Sequence, residues 1–307
     1  MQIIDGKKIR DEILAKIKRE VATLPFTPVF CDVLVGEDPA SVQYVQMKAR
    51  TAEKVGIHFH KAIFPAPIST SDLVKEIKTL NKVPNMCGII IQLPLPGSID
   101  KKAVLDSVEP DLDVDCLGAV ASEKFFNDYN SQTDLGYPAA LACLALLDSL
   151  RLDLKGKIIV LLGQGDLVGK PTAALLRSRG IPYQPITNET ENKEYFLQRA
   201  DIIISAIGKA KYITGNMIKT GAILIDAGTS EDVSAQLGDR PSIVGDVDLK
   251  SVKNVASYVS PVPGGVGPVT VAMLLQNVLK VAKAKTSPLA PLQASLERGS
   301  QRRGEVN

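Results

Sequence analysis

The chain has 307 residues, of which 45% are hydrophobic and 23% charged, and its formal net charge is +2. This length exceeds one comfortable hydrophobic core and predicts two domains. So small a net charge gives no electrostatic reason to expect binding to nucleic acid or to an anionic membrane. No apolar run approaches the ~20 residues that cross a bilayer, and no leader-like segment follows Met1, so we expect a cytoplasmic protein.

The cysteines and histidines are not spaced as metal ligands. The cysteines are Cys31, Cys87, Cys116 and Cys143. Their wide separation favours buried free thiols in a reducing compartment. His58 and His60 follow the alternation of a strand and have no acidic or cysteine partner nearby in the sequence. We therefore expect no metal site.

Helical and strand patterns alternate along the first half of the chain. Apolar runs bounded by turn residues indicate strands, and apolar stripes with a period near 3.6 indicate helices. A β–α–β–α–β order of this kind predicts a parallel sheet with right-handed crossovers. The predicted elements are helices over 5–24, from Ser41 and over 71–80, and strands over 29–35, 58–64 and 88–91.

Three polar residues in this half occupy positions suited to chemistry. Tyr44 and Lys48 are four residues apart, so a helix presents both on one face. Gln92 directly follows an apolar strand, and the prolines after it prevent further strand pairing. It is therefore expected at a strand's carboxyl end, where α/β sheets bind ligands. Taken alone, Lys48 is an ordinary solvated helix lysine.

The stretch 109–116 crowds four acids together, namely Glu109, Asp111, Asp113 and Asp115. Taken alone, such a stretch indicates a solvated acidic loop. The apolar segment 139–150 that follows predicts a helix suited to joining two domains.

The stretch 156–171 has the pattern of a strand, a glycine loop and a helix. The apolar run 158–162 suits a strand buried on both faces, and Gly163 and Gly165 allow a sharp turn and a close approach to a ligand. The start of the helix predicted over 167–179 favours an anion such as a dinucleotide pyrophosphate. The G-x-G-x-x-x-G spacing is one residue longer than the usual fingerprint, so a tight turn without a ligand is the alternative.

The remainder of the second half continues as strands and loops. Strands are predicted over 181–187, 200–207, 221–226 and 255–259, with a further strand beginning over 243–247. The loop 261–268 has three glycines and three prolines in eight residues, which predicts a rigid loop with close backbone approach. A helix over 271–283 follows. Beyond Lys285 we expect a frayed, solvated tail.

Four motifs in this order resemble the bifunctional methylenetetrahydrofolate dehydrogenase/methenyltetrahydrofolate cyclohydrolase (FolD) family. They are VGEDPASVQYVQMK over 35–48, GIIIQLPLP over 88–96, DVD over 113–115 and SPVPGGVGPVT over 260–270. The resemblance implies an α/β fold with two domains across a cleft. Residues 1–140 plus 271–307 would form a discontinuous folate-binding catalytic domain, and residues 141–270 a Rossmann-like dinucleotide-binding domain.

The resemblance also implies the function and the residues that carry it. The enzyme would oxidise 5,10-methylenetetrahydrofolate with NAD or NADP and hydrolyse the methenyl product to 10-formyltetrahydrofolate. Lys48 would handle the proton, Gln92 would hold Lys48, Asp115 would bind the pterin ring and Tyr44 would stack on the folate. Further implied substrate-binding residues are Leu93, Pro94, Pro263, Gly264 and Gly265. Implied cofactor-binding residues are Gly163, Gln164, Gly165, Val168, Gly169, Asn188, Ala206, Ile207, Gly208 and Gly228.

Several binding positions depart from the family pattern. A glycine after the DVD motif is replaced by Cys116, and a threonine before the linking helix by Ala139. The Gly-Arg-Ser of the cofactor loop reads Gly-Gln-Gly over 163–165, and the His-Ser after the second strand reads Thr-Asn over 187–188. The residues assigned to chemistry are all present, which indicates a divergent but active member.

These departures bear on the choice of cofactor. A ribose 2′-phosphate requires a fixed cation and hydroxyl donors, and Gln164, Gly165 and Asn188 supply no charge. Glu189 and Glu191 are positioned to accept from a free 2′-hydroxyl and to repel a phosphate. We predict that NAD is used at least as well as NADP. The alternatives are that both glutamates face solvent, and that Arg177 or Arg179 reaches the phosphate.

The resemblance further implies a homodimer. Two other functions are weighed against it. One is a catalytically reduced relative that binds folate or nucleotide, against which the joint presence of Lys48, Gln92 and Asp115 argues. The other is a different two-domain dehydrogenase, such as a shikimate or amino-acid dehydrogenase. That alternative predicts a Lys–Asp pair placed for a small hydroxy or amino acid, and no 261–268 loop.

Overall fold

The computed structural model describes residues 1–237 and 240–286, and these divide into two compact units. One unit consists of Met1–Ala15 and Gly136–Leu274, and the other of Lys16–Leu135 with the residues from Leu275 onward. We call them the six-stranded unit and the three-stranded unit, after their main sheets. The tail predicted to be frayed lies outside the described residues, apart from Thr286.

The strands are β1 (Gln2–Ile3), β2 (Val29–Val35), β3 (His58–Phe64), β4 (Met86–Ile91), β5 (Ile159–Leu162), β6 (Gln184–Ile186), β7 (Ile202–Ser205), β8 (Ile223–Asp226), β9 (Ser230–Leu237), β10 (Arg240–Val244) and β11 (Tyr258–Val259). The helices are α1 (Gly6–Val21), α2 (Pro39–Lys54), α3 (Thr70–Leu80), α4 (Lys101–Leu105), α5 (Ala119–Asp128), α6 (Pro138–Ser149), α7 (Gly169–Ser178), α8 (Lys193–Leu197), α9 (Leu249–Val252) and α10 (Val266–Thr286). The division between the units falls inside α1 and inside α10.

The sheet of the three-stranded unit has the order β3-β2-β4, and both pairings are parallel. The central strand β2 is buried from Phe30 to Val35, as expected of a strand covered on both faces. Helices α2 and α3 make the two crossovers between its strands. The parallel α/β arrangement predicted from the alternating pattern is confirmed in this unit.

The sheet of the six-stranded unit has the order β1-β11-β8-β7-β5-β6, again with parallel pairings throughout. The chain runs from β5 outward to β6 and then returns to the other side of β5 as β7. This reversal makes the carboxyl ends of β5 and β7 a topological switch point, the place where such sheets bind nucleotides. The unit is therefore Rossmann-like, which confirms the predicted fold class.

The amino terminus differs from the domain boundaries predicted from sequence. The prediction placed residues 1–140 in the first domain, but residues 1–15 belong to the six-stranded unit. The reason is that β1 pairs with β11, and the N–H of Ile4 donates to Val259 O at 2.8 Å. Two residues of edge strand carry too little pattern to be recognised in a sequence.

The strand predicted over 243–247 is observed only at Ile243 and Val244, and not in the six-stranded sheet. Ile243 and Val244 lie in β10, which pairs antiparallel with β9 in a separate two-stranded sheet. Of the rest of that stretch, Val247 makes only an isolated bridge to Ile213. Helices α4 and α5, which the sequence did not predict, lie in the three-stranded unit. Within the described ranges, no helix is long and apolar enough to cross a membrane.

Candidate active site

Lys48 lies at the centre of a polar cluster in the three-stranded unit. Helix α2 begins at Pro39 rather than at the predicted Ser41, and the side chain of Asp38 caps it by accepting from Ser41 N at 2.8 Å. Lys48 is only 2% exposed. Its Nζ lies 4.9 Å from the centroid of the Tyr44 ring, one turn earlier on the same helix. The predicted shared face is therefore observed, with Lys48 buried and Tyr44 36% exposed.

Gln92 holds Lys48 from the carboxyl end of β4. The Lys48 ammonium donates to Gln92 Oε1 at 2.7 Å, while Gln92 Nε2 donates to the carbonyl of Leu93 at 2.7 Å. The second bond fixes the orientation of the amide, because an amide nitrogen cannot accept. Gln92 N also donates to Val33 O at 2.9 Å, which anchors its backbone to β2. The Leu93–Pro94 peptide bond that follows is cis.

The third partner of Lys48 is Asp32, a residue that the sequence analysis did not select. Its Oδ2 lies 2.6 Å from Lys48 Nζ, and its side chain is 0% exposed. It lies in the middle of β2, whose neighbouring residues are apolar. The signal was present in the sequence, since a single charge inside an apolar strand buried on both faces requires a partner.

Asp115 follows a tightly bonded loop. Asp113 accepts from Gly118 N at 2.7 Å, and Asn277 Nδ2 donates to the carbonyl of Val114 at 2.8 Å. Burial, together with the negative charges of Asp113 and Asp32, raises the pKa of Asp115 to about 6, against the opposing effect of Lys48. Burial and the charges of Asp115 and Asp32 raise the pKa of Tyr44 to about 12. Three of the four residues predicted to be catalytic, Lys48, Asp115 and Tyr44, thus act electrostatically on one another within this unit.

Cys116, which follows directly, has a backbone φ of +60°. This is the left-handed region, which glycine occupies readily and other residues only at a cost. The sequence departure at this position therefore puts a side chain where the backbone favours glycine. The thiol is buried, and burial raises the pKa of Cys116 well above its usual range.

The predicted cofactor residues lie at the carboxyl ends of the strands in the six-stranded unit. Gly163 has φ +100°, and a Cβ on it would lie 2.5 Å from Ala206 O, so the turns after β5 and β7 meet there. A Cβ on Gly169 would lie 2.3 Å from Gly163 O. These two glycines are required for packing. A Cβ on Gly165 would meet nothing within 4 Å, which leaves open space beside the loop.

The start of α7 gives less support for an anion site than the sequence pattern indicated. Its N-cap residue is Val168, which makes no side-chain cap. Pro171 has no N–H, and Lys170 N already donates to the carbonyl of Gly165 at 3.0 Å. Neither residue therefore offers a free backbone N–H to an anion. Anion binding at this end therefore depends on the loop backbone and on the helix dipole.

The loops that follow β7 and β8 are held by two buried acids, which the sequence analysis also missed. Asp246 accepts from Ser205 Oγ at 2.7 Å and from Lys209 N at 2.8 Å. Asp226 accepts from Gly228 N at 2.9 Å. A Cβ on Gly228 would lie 2.1 Å from Asp246 Oδ1. Gly228 thus has a structural reason to be glycine without any cofactor.

The residues expected near a ribose 2′-phosphate have definite partners. Arg177 donates to the Tyr183 hydroxyl at 2.7 Å, and Arg179 contacts both carboxylate oxygens of Asp148. Asn188 and Glu189 are exposed after β6. Lys193 Nζ donates to the carbonyl of Asn188 at 3.0 Å, so a cation that the sequence analysis did not consider lies at this strand end.

The loop 261–268 belongs to the six-stranded unit, whereas Lys48 belongs to the three-stranded unit. The Val262–Pro263 peptide bond is cis, and Gly264 has φ +110°. Gly6 N donates to Gly264 O at 3.0 Å, and a Cβ on Gly6 would lie 1.9 Å from Gly265 O. The close backbone approach predicted for this loop is thus observed, with the start of α1 as the neighbour.

Comparisons with known proteins agree with this arrangement. The model of the tetrahydrofolate dehydrogenase/cyclohydrolase catalytic domain matches residues 4–115, and the NAD(P)-binding domain model of the same family matches residues 138–286. The chain is 39% identical to the bifunctional protein FolD of Methanoculleus marisnigri, over 92% of this chain and 97% of that protein. It is 40% identical to that of Moorella thermoacetica, over 92% and 99%.

The chain belongs to the tetrahydrofolate dehydrogenase/cyclohydrolase family. Its fold is similar to that of FolD from Campylobacter jejuni, with a TM-score of 0.86 at 33% identity, over 93% of this chain and 99% of that one. The Trypanosoma brucei enzyme, whose structure contains NADP and an inhibitor, gives a TM-score of 0.86 at 32% identity, over 92% and 97%. Membership confirms the predicted family, its bifunctional dehydrogenase/cyclohydrolase activity and its use of NAD or NADP.

Family membership also bears on the alternative of another two-domain dehydrogenase. That alternative predicted a Lys–Asp pair placed for a small hydroxy or amino acid, whereas Lys48 and Asp32 form a buried ion pair. It also predicted that the 261–268 loop would be missing, yet the loop is present. The Lys–Asp pair is therefore found within a tetrahydrofolate dehydrogenase/cyclohydrolase.

One cavity is lined in part by Glu191 and by Lys193, whose Nζ donates to the carbonyl of Asn188. It has a volume of about 840 Å³ and is lined by Tyr212 and by residues of the segment 190–198. In residues 1–237 and 240–286, no three His, Cys, Asp or Glu side chains lie together as metal ligands would.

Proposed function

We propose that this chain carries out both reactions of its family through the Lys48 cluster and the Gly163 loop, with NAD as a cofactor at least as good as NADP. The observation that carries the proposal is the buried Lys48, held by Gln92 at 2.7 Å beside Tyr44 and Asp115. A lysine removed from solvent and fixed by an amide is suited to moving a proton.

The oxidation needs little from acid–base groups. A nicotinamide held by this chain would supply the acceptor for the hydride that leaves the methylene carbon. The chain's part is to orient the reactants and to exclude water. The open space beside Gly165, at the switch point between β5 and β7, fits the backbone approach of a pyrophosphate. We assign Gly163, Gln164, Gly165 and the loop after β7 to this role.

The hydrolysis needs a proton acceptor, because water must lose a proton as it attacks the methenyl carbon. We assign this role to Lys48, with Gln92 fixing the direction of its Nζ. Tyr44, a partly exposed residue, is proposed to stack on the folate. Asp115 is proposed to accept hydrogen bonds from the pterin when ionised. The assignments of Leu93, Pro94, Pro263, Gly264 and Gly265 to the folate site rest on the resemblance alone.

The proposal for the cofactor rests on the side chains near β6. Arg177 and Arg179 are engaged with Tyr183 and Asp148, which argues against their use for a 2′-phosphate. Glu189 and Glu191 are exposed and acidic. Lys193 is the cation that argues the other way, because its Nζ already lies 3.0 Å from Asn188 O.

We further propose a cytoplasmic homodimer. All four cysteines are free and buried, as suits a reducing compartment. A rotationally symmetric pair is the commonest assembly of soluble enzymes. Sedimentation that showed only a species of one chain mass, 32.9 kDa, at micromolar concentration would count against the dimer.

A coupled assay tests the proposed function. Purified protein is given methylenetetrahydrofolate with NAD or with NADP, and the reduced nicotinamide and the methenyl intermediate are followed separately. We expect the reduced nicotinamide to accumulate while the methenyl intermediate stays low. An inactive protein would favour the binding-only relative, and accumulation of the methenyl intermediate would restrict the chain to the first reaction.

A further inference from the structure

Asp32 occupies a buried position in which an acidic side chain is unusual. It lies at the middle of the central strand of its sheet, is 0% exposed and has Lys48 Nζ at 2.6 Å. Apart from this ion pair, neither of its carboxylate oxygens has a hydrogen-bond partner in the described part of the chain. A buried carboxylate with one partner is poorly compensated for the loss of water, so it has a reason to take up a proton.

The charged groups around Asp32 come from three elements. Lys48 and Tyr44 face it from α2, Lys61 acts on it from β3, and Asp115 belongs to the loop beyond β4. Burial raises the pKa of Asp32, and the charges of Lys48 and Lys61 oppose that effect. Tyr44, with its pKa raised to about 12, remains protonated and is no base at neutral pH.

The contacts of Lys48 decide which group can relieve it of a proton. An ammonium has three N–H donors and no acceptor, so it must give up one proton before it can take another. The amide oxygen of Gln92 accepts a hydrogen bond but does not take a proton at neutral pH. Of the side chains that Lys48 contacts in the described residues, only Asp32 is a base.

We propose that Asp32 and Lys48 form a proton relay for the hydrolysis, in which the proton lost by the attacking water reaches Lys48 as Lys48 passes one of its own to Asp32. This inference rests on the proposed function. It makes Asp32 a positioning residue for the proton, because Asp32 acts through Lys48 and does not touch the substrate.

The step balances in atoms and charge. Before it, the methenyl cation, the Lys48 ammonium and the Asp32 carboxylate together carry one positive charge. The water oxygen bonds to the methenyl carbon, its O–H bond breaks, one N–H bond of Lys48 breaks as another forms, and an O–H bond forms on Asp32. Afterwards, the substrate and Asp32 are neutral and Lys48 is again an ammonium. The proton on Asp32 is released to solvent later in the cycle, as the overall hydrolysis requires.

The test compares Asp32→Asn with two reference variants. Lys48→Met removes the proposed base itself, and Asp106→Asn removes another Asp–Lys ion pair of the same unit, that with Lys102. Asparagine keeps the shape of aspartate but takes up no proton. The full-length variants are assayed for methenyltetrahydrofolate hydrolysis and for dehydrogenase activity across pH.

We expect Asp32→Asn to lower kcat for hydrolysis by about 10²-fold or more, with KM and dehydrogenase activity changed much less. The rise of kcat with pH that reports ionisation of Asp32 should vanish in Asp32→Asn and persist in Asp106→Asn. If Asp32→Asn hydrolyses as fast as the parent while Lys48→Met does not, the relay is wrong and the role of Lys48 stands. If Lys48→Met is also unaffected, the proposed function of Lys48 is wrong.

A second measurement covers the case in which Asp32→Asn does not fold. The protonated-carboxyl stretch is followed by infrared spectroscopy during a pH titration of the parent. Asp113→Asn, Asp115→Asn and Asp226→Asn are used to subtract the signals of the other buried acids whose pKa is raised. A relay predicts that one further carboxyl carries a proton well above the usual pKa of about 4. A parent in which every other carboxyl is ionised at pH values above about 5 would overturn the relay.

Discussion

The Lys48 cluster and the Gly163 loop differ in how much of each site this chain has already built. Around Lys48, the chain's own side chains occupy the positions: Asp32, Gln92 and Tyr44 surround Nζ within 4.9 Å. Beside Gly165 there is open space, and the nearby structure is backbone. The first region is organised for chemistry by side chains, and the second is shaped to admit a ligand.

This difference indicates which substitutions each region tolerates. A side-chain cluster depends on each member, because a partner removed leaves a buried charge or amide without compensation. A binding site formed by backbone depends on residues that leave room for the ligand. The few side chains at its edge determine which cofactor is preferred. We therefore expect large effects at the first region and smaller, selective effects at the second.

The largest expected effect comes from Lys48→Ala. It removes the proposed proton acceptor and should lower the rate of methenyltetrahydrofolate hydrolysis by about 10²–10⁴-fold. Dehydrogenase activity should fall less, because hydride transfer needs no proton acceptor. The measurement is a stopped assay of each reaction, with Lys54→Ala, an exposed lysine of the same helix, as the control. A Lys48→Ala protein with the parental hydrolysis rate would show that Lys48 is not the proton acceptor.

Gln92→Ala tests whether orientation of the lysine matters in its own right. Loss of a hydrogen bond to a charged group is worth about 1.5–3 kcal/mol, so kcat for hydrolysis should fall roughly 10–100-fold. Lys48 remains present, so hydrolysis should persist at the reduced rate. The ratio of hydrolase to dehydrogenase activity distinguishes this outcome from simple unfolding, which lowers both activities in proportion. Unchanged kcat would mean that Asp32 alone positions Lys48.

Asp115 gives a pH dependence of definite sign. With a pKa of about 6, it ionises as pH rises through that value, so kcat/KM for the folate in the dehydrogenase reaction should increase through pH 6 and be flat in Asp115→Asn. The free energy of unfolding should change with pH in the opposite direction. The folded state holds a proton that the unfolded state has already lost, so the free energy of unfolding decreases between about pH 4 and pH 6. Urea unfolding across this range checks it, and an equal slope in Asp115→Asn would contradict it.

The cofactor region should show a smaller and selective effect. We expect kcat/KM with NAD to be at least equal to that with NADP, measured with methylenetetrahydrofolate. A preference for NADP above about tenfold, or ~1.4 kcal/mol, would show that a cation has replaced the missing arginine. Lys193→Gln would then abolish that preference, and the exposed Lys155→Gln of the same unit would not.

The smallest effect is on stability at Cys116. The φ of +60° is costly for any residue with a Cβ. The free energy of unfolding of Cys116→Gly, measured with denaturant, should therefore exceed that of Cys116→Ala by about 1 kcal/mol. Alanine is the matched control because it removes the sulfur and keeps the strain. An alanine variant as stable as the glycine variant would show that the surrounding loop imposes no strain. Catalysis should not distinguish the two variants.

Sequence patterns predicted the parts of the fold that repeat a strong signal. The apolar runs of β2, β4 and β5 and the glycine loop were found because burial on both faces of a parallel strand leaves a clear imprint. The two-residue β1 was missed because its pairing with β11 depends on a segment more than 250 residues away in the chain. The apolar pair Ile243–Val244 was misassigned because an antiparallel hairpin and a parallel strand share the same local composition.

The sequence selected four residues for the candidate site but did not predict the contacts between them. Resemblance selected Lys48, Gln92, Asp115 and Tyr44, and their mutual contacts required the folded chain. Asp32 was missed because its partner lies 16 positions later on a different element, a distance that no local pattern reports. The engagement of Arg179 with Asp148 was equally out of reach, since that pair joins α6 and α7. The sequence shows which side chains the chain contains, and the fold determines which of them are already engaged with a partner.

The pairing of β1 with β11 has a consequence for synthesis. The six-stranded unit needs Gln2–Ile3 and Tyr258–Val259 in one sheet, and the three-stranded unit takes Asn277 against the carbonyl of Val114. A nascent chain therefore cannot finish either unit until α10 has left the ribosome. Exposed apolar strands such as β2 and β4 would wait for most of translation, and that interval is when chaperones would be most needed.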